Sequence, residues 1–347
     1  MTFQNTGNCG EVKLKRNYYI LNDGRLRRKD NTFLYEKYSD KGEVELKKTI
    51  PIETVDSFFC YGENDFNSKF FNFLSENGIV LHLFNYYGYY SGTFYPREKL
   101  VAGDVLLRQA AAYLSEEDRM YFAYNFIESA QFHILQNLKE RRDLQPLQKI
   151  ITKIERESNH LKSAITVNEL MTIEAKIRKL YYSSWDHFLD WEDPFISRTK
   201  QPPQNSINAL ISFGNSLMYS VVLGEIYKTQ LNPTISYLHE PGVRRYSLAL
   251  DIAEIFKPFI VDRLIFRLIN KKMLKLEEFD KDLNCCYLGD TGKKIFLREW
   301  EKQLSSTIKH RQLGRNVSYK RLIRLELYKM IKHLLGEKKY KVFHRWW

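Results

Sequence analysis

"IVLHLFNYYGYYSGTFYPREKLVAGDVLLRQAAAYL", residues 79–114, contains the change of period that decides the fold. Its first part is a strand-like run, Ile79 to Phe84. A tyrosine-rich stretch with Gly88 and Gly92 follows and predicts a hairpin. Its tyrosines are read as cross-strand packing rather than as base-stacking platforms. Beyond Pro96 the spacing becomes helical, as in "LLRQAAAYL". Upstream, "YYIL", "TFLYEKY", "VELKKTIP" and "VDSFFCYG" are short β-rich runs divided by turn residues. One helix interrupts them at about 67–77, stopped by Asn77-Gly78. Downstream, "MYFAYNFIESAQFHILQNL" and "LIRLELYKMIKHLL" keep the helical period. The expected fold class is therefore α+β, with a β domain over 1–95 and a larger all-α domain over 96–347. Residues 191–204, "WEDPFISRTKQPPQ", read as an inter-helix loop, and the final "KKYKVFHRWW" is expected to fray.

Charge follows the same boundary. Residues 1–95 carry 12 basic and 12 acidic side chains, so the whole net charge of +12 belongs to the helical part. Within it, 311–347 holds 11 basic residues against 2 acidic. Such an excess favours a polyanion, while the neutral, aromatic β domain suits protein contact and a symmetric homodimer. Lys320, Arg321, Arg324 and Lys332 recur at spacings that line one side of a helix, a candidate DNA-binding face. The four cysteines form no Cys-x-x-Cys pair and no zinc spacing. With neither a signal-peptide pattern nor an apolar run of membrane-span length, the expectation is a cytoplasmic protein with no membrane partner. Gly-rich phosphate loops, nucleophile elbows and His-Glu-x-x-His are also missing.

Two acids stand out in "LHEPGVRRYSLALDIAE", residues 238–254. Asp251 and Glu254 share a face of a helix capped by Ser247 and ended or kinked by Pro258. The run around them is apolar, so both need a cation. In "NELMTIEAKIRKLYY", Glu174 interrupts the stripe Leu170, Ile173, Ile177, Leu180, Tyr181. A divalent metal held by Glu174, His239 and Glu254, with Asp251 beside it, accounts for all four. One imidazole among carboxylates suits Mg²⁺ or Mn²⁺, and Arg244 and Arg245 are placed to hold phosphates. The plainer reading pairs the acids with Arg178, Arg244, Lys257 or Arg263.

These blocks resemble the CRISPR adaptation integrase family, the large metal-dependent subunit of the spacer-acquisition complex. "MTIEAKIRKLYYSS" is similar to the family's metal-binding helix. "SRTKQPPQNSINALISFGNSLMY" resembles its Arg-x-x-x-Pro-Pro loop and following helix, and the block from His239 to Glu254 resembles its His-to-acid segment. The resemblance implies an N-terminal β-sandwich, an all-α catalytic domain and a homodimer joined to a small ferredoxin-like subunit. It also implies endonuclease and strand-transfer chemistry, in which 3′-hydroxyls of captured DNA attack repeat phosphodiesters in double-stranded and branched DNA. Glu174, His239 and Glu254 would be ligands, and Asp251 a further catalytic ligand or orienter. Arg198 and Lys257 would contact DNA. Lys257 stands where the family often has Arg, and Gln204-Asn205-Ser206 replace an acidic residue after the Pro-Pro pair. The rival reading is a non-catalytic, basic helical DNA-binding protein with structural acids.

Overall fold

A computed structural model describes residues 15–39, 41–85, 87–97, 100, 102–242, 246–282 and 285–347. The chain forms two compact units. One takes residues up to Tyr86 with Ser91–Arg97, and the other takes Tyr87–Tyr90 with Glu98–Trp347.

The first unit is built from two four-stranded sheets. One has the order β1 (Arg16–Ile20), β5 (Val55–Cys60), β7 (Val80–Phe84), β8 (Tyr90–Phe94), with β1, β5 and β7 parallel. In the other, β4 (Val44–Pro51), β3 (Thr32–Tyr38) and β2 (Gly24–Lys29) are antiparallel and β6 (Asn64–Phe66) pairs parallel to β2. Tyr18, Phe58 and Leu81 from the first sheet share a core with Leu26, Phe33 and Ile50 from the second. Helix α1 (Ser68–Asn77) is part of the crossover between parallel strands β5 and β7, and it adds Phe70, Phe73 and Leu74 to that core. Phe33 meets Phe58 edge-on with centroids 5.0 Å apart. The helix starts on the Asn67 side chain and stops at Gly78, whose φ of 63° is left-handed. Strand β2 escapes sequence patterning because four of its six residues are basic. Arg27 pairs with buried Glu36, and Arg28 lies over the Phe73 ring.

The second unit is helical, with α2 (Gly103–Leu114), α3 (Glu116–Lys139), α4 (Gln145–Asn159), α5 (Val167–Ser183), α6 (Ser206–Tyr227), α7 (Ser247–Phe256), α8 (Arg263–Asn270), α9 (Asp290–Ser305) and α10 (Tyr319–Leu334). Two small hairpins, β9 (Phe279–Asp282) with β10 (Cys285–Leu288) and β11 (Thr307–Lys309) with β12 (Asn316–Ser318), were not anticipated. Their strands of three or four residues are too short to show alternation. The tyrosines Tyr87 and Tyr89 pack on Tyr287 of β10.

Helix α6 is the centre of this unit. By length and composition it is apolar enough to cross a membrane, contrary to the sequence reading, but most of its residues are buried by other helices. At Gly214 an added Cβ would lie 2.5 Å from Val261 Cγ1 and 3.2 Å from Phe296 Cζ. Gly214→Ala is therefore expected to lower stability by up to about 2 kcal/mol, because overpacking costs about 1–3 against a helix-propensity gain of about 1. A thermal melt at or above the parent's would contradict this crossing.

The C-terminal segment does not fray. Tyr340 and Phe343 are buried. The Tyr340 hydroxyl and the Phe343 amide both donate to buried Glu326. His344 Nε2 lies 2.7 Å from Glu128, Ser129 donates to the Phe343 carbonyl, and Arg345 pairs with Glu140, so the segment is fixed along α3. Lys and Arg made this stretch look solvated, yet its apolar and aromatic residues find a groove.

Candidate active site

Helix α5 begins at Thr166, which accepts from the Glu169 amide, while Glu169 accepts from the Ile165 amide. Its buried face carries Leu170, Ile173, Ile177 and Tyr181, the expected stripe with Leu180 half-buried at its edge. Glu174 flanks that face with its side chain 25% exposed. One turn on, Arg178 Nε donates to Glu174 Oε1 and its Nη2 donates to Glu254 Oε2 on α7. Lys257 Nζ donates to Glu254 Oε1 at 2.6 Å. A single guanidinium thus ties Glu174 and Glu254 together across 76 or more positions of sequence.

Burial works against the charges of Glu254 and Arg178, and their neighbours outweigh it. Glu254 is held down to about 2 by Arg178, then Lys257, then His239, despite desolvation. The Arg178 pKa rises because Glu254 and Glu174 overcome its burial. For a carboxylate so depressed, the stabilisation is complete above the ordinary value of about 4.3 and is lost as pH falls through about 2.

Asp251 has another task. Its Oδ2 accepts from the amides of Tyr237 at 2.7 Å and Leu238 at 3.0 Å, and Oδ1 from the His239 amide at 3.0 Å. His239 Nδ1 lies 2.8 Å from Oδ1. A carboxylate only accepts, so Nδ1 carries a proton, and in the neutral ring Nε2 keeps its lone pair. Burial lowers the His239 pKa, but the Asp251 hydrogen bond and charge, with Glu254 behind them, raise it overall. Ser247 does not cap α7. It is the first helical residue and donates to the Thr234 carbonyl. Pro258 falls in a π-helical segment, Lys257–Asp262, that joins α7 to α8 without ending the helix.

Among the described residues, no three His, Cys, Asp or Glu side chains stand together closely enough to hold a metal ion as they are placed. Glu174 and Glu254 are brought together with Arg178 between them and Lys257 on Glu254, and His239 is brought to Asp251. The donor chemistry still fits a hard dication. Two carboxylates are already neutralised by two cations at one spot, and His239 Nε2 makes no hydrogen bond among the described residues.

The proposed DNA contacts divide. Arg244 and Arg245 lie outside the described residues. Arg198 works within the protein: its Nη1 donates to Asn208 Oδ1 at 2.9 Å and to the Thr199 carbonyl, and its Nη2 donates to Ser212 Oγ at 3.0 Å. The polar residues after the Pro-Pro pair are also used, since Asn205 caps α6 and Ser206 receives Trp191 Nε1. Arg324 is bound at 2.6 Å to Glu225, which is buried on α6. Arg321 lies over the Tyr328 ring, and Lys332 is exposed. Arg263 pairs with Glu140, not with the α7 acids.

Sequence reasoning missed Asp262. It is buried, with Oδ2 unpartnered, and burial pushes its carboxyl up to about 7 against the pull of Arg178. The signal was present, for an acid in "FKPFIVDRLIF" breaks an apolar run as Glu174 does.

Residues 18–302 match the family model described as CRISPR associated protein Cas1. A relative from Thermodesulfovibrio yellowstonii, named CRISPR-associated endonuclease Cas1 3, is 49% identical over 332 residues, covering 96% of this chain and 100% of its own. One from Moorella thermoacetica, CRISPR-associated endonuclease Cas1 2, is 50% identical with the same coverage. The solved structure of a Cas1 protein from Thermotoga maritima superposes with a TM-score of 0.84 at 40% identity, over 94% of this chain and 100% of that one.

Proposed function

The chain belongs to the Cas1 family, whose relatives at about half identity are named CRISPR-associated endonucleases, and we propose that it is an endonuclease and integrase whose residues work as follows. The non-catalytic reading falls with that membership. Glu174, Glu254 and His239 through Nε2 would hold Mg²⁺ or Mn²⁺. When bound there, the dication supplies Lewis-acid charge at the scissile phosphate. Asp251 holds the His239 tautomer and ring direction. Arg178 and Lys257 keep Glu254 ionised in the metal-free protein. Once relieved of them, both face phosphate oxygens. The reaction is attack of a captured strand's 3′-hydroxyl on a repeat phosphodiester.

The observation that carries this reading is the Arg178-bridged pair of Glu174 and Glu254, next to an imidazole whose Nε2 is left open. Strand transfer into branched DNA should vanish in EDTA and return with excess Mn²⁺. Undiminished transfer in EDTA sinks the metal reading.

The assembly we infer is a cytoplasmic homodimer through the β unit, joined to a small ferredoxin-like subunit. Supporting it, β4 is a sheet edge with Val44 and Leu46 about half exposed. Duplex and branched DNA would lie on the basic helical unit, with Lys320 and Arg321 of α10 among its contacts, Arg198 and Lys257 nearer the acids, and Arg244 and Arg245 beside His239 in sequence. Arg324 is better explained by Glu225.

A further inference from the structure

Arg141 just beyond α3, helices α8 and α9, and Arg345 and Trp347 line an open hollow of about 430 Å³, within the about 300–1,000 Å³ usual for small-molecule sites. Its wall is basic, with Arg141, Arg263, Arg267, Lys271 and Arg345. Two carboxylates answer these cations. Glu140 takes both Arg263 and Arg345. Glu299 takes Arg267 at 3.8 Å but is shared with Lys302 at 2.6 Å and Arg298 at 3.3 Å. Arg141 donates to the Asn137 carbonyl, rests on the rings of Phe188 and Phe266, and makes no ion pair among the described residues. Exposed Lys271 makes none among them either. A positive excess inside a hollow with apolar walls draws anions.

Arg267 gives a sharper pointer. Its Nε is buried and without a hydrogen-bond partner among the described residues, an unmet donor that an anionic oxygen would satisfy. The rim is aromatic. Trp347 is 40% exposed, with its ring 5.9 Å from that of Tyr319, and both line the hollow. Cations at the wall and an exposed indole at the rim match the two halves of a nucleotide, phosphate and base. Paired bases inside a duplex cannot offer that face.

We propose that this hollow binds one nucleotide of single-stranded DNA, with its phosphate on Arg267, Arg141 and Lys271 and its base against Trp347 and Tyr319. Arg267 lies thirteen residues beyond Glu254 on one nearly continuous helix, roughly 20 Å at the α-helical rise. The site is therefore apart from the acid pair and does not rest on its chemistry.

Binding is measured in EDTA with the full chain, by anisotropy of a 5′-phosphorylated ten-residue oligothymidylate and of a twenty-base-pair duplex. Lys271→Glu, a surface change, and Arg267→Ala should each weaken the single strand about tenfold. Each should flatten its salt dependence by about one unit of slope and leave duplex affinity within twofold. Trp347→Ala should weaken the single strand about fivefold or more. Unchanged single-strand affinity in Lys271→Glu, or equal losses on both DNAs, overturns the site. If inorganic phosphate displaces the strand as well as thymidine 5′-monophosphate does, the stacking half is overturned.

Discussion

His239→Ala is expected to reduce strand transfer in Mn²⁺ by at least about 100-fold, the scale of losing a ligand or a positioned acid–base group, with the fold intact. Removing the ring leaves Asp251 accepting three backbone amides, so no buried group is orphaned. That separates it from Glu254→Ala, which would strand both Arg178 and Lys257 without their shared carboxylate. Glu254→Gln keeps the shape and is the better companion variant. Duplex affinity should stay near parental in His239→Ala, because phosphate contacts on the basic surface carry it. Parental strand-transfer rates in this variant would refute the assignment of the imidazole.

Arg178→Met should show the opposite profile, a large stability change that depends on metal. Breaking a buried pair while leaving its charges costs about 3–5 kcal/mol, near the lower end here because Glu174 is a quarter exposed. For a helical unit of this size, that corresponds to a fall in Tm of roughly 6–12 °C in EDTA. Saturating Mn²⁺ should return more of the Tm to the variant than it adds to the parent, since the dication replaces the missing cation. Differential scanning calorimetry at neutral pH, with and without metal, decides the matter. A variant melting within about 2 °C of the parent in EDTA would show that Arg178 does not hold the acids together.

What the sequence disclosed, and what it withheld, follows the range of each interaction. The α5 stripe, the Asn77-Gly78 stop, and the i,i+4 and i,i+3 pairs Glu174–Arg178 and Glu254–Lys257 are local, so spacing exposes them. The bond from Arg178 to Glu254 spans 76 positions and has no local trace. Asp251 likewise looked like half of an acidic pair, because its true partners are backbone amides, which carry no letter in a sequence. Arg198 read as a phosphate contact by resemblance and Arg324 by charge, yet each has an internal acceptor supplied by α6. The basic strand β2 was hidden because its arginines pay for their place through Glu36 and the Phe73 ring.

The segment laid along α3 bears on the order in which the protein is made. Ser129 and Phe343 are 214 residues apart, and the His344–Glu128 contact spans 216. During synthesis, the β unit emerges early with all of its core strands in hand. Helix α3 emerges soon after it, but the groove that receives Tyr340 and Phe343 must wait for most of the helical unit to be translated. Over that interval, at about 5–20 residues per second, α3 presents an uncovered apolar surface to solvent. The helical unit is thus a vectorial liability for about ten seconds or more, and the nascent chain is most open to chaperones or to mispairing just before residues 340–345 are laid down.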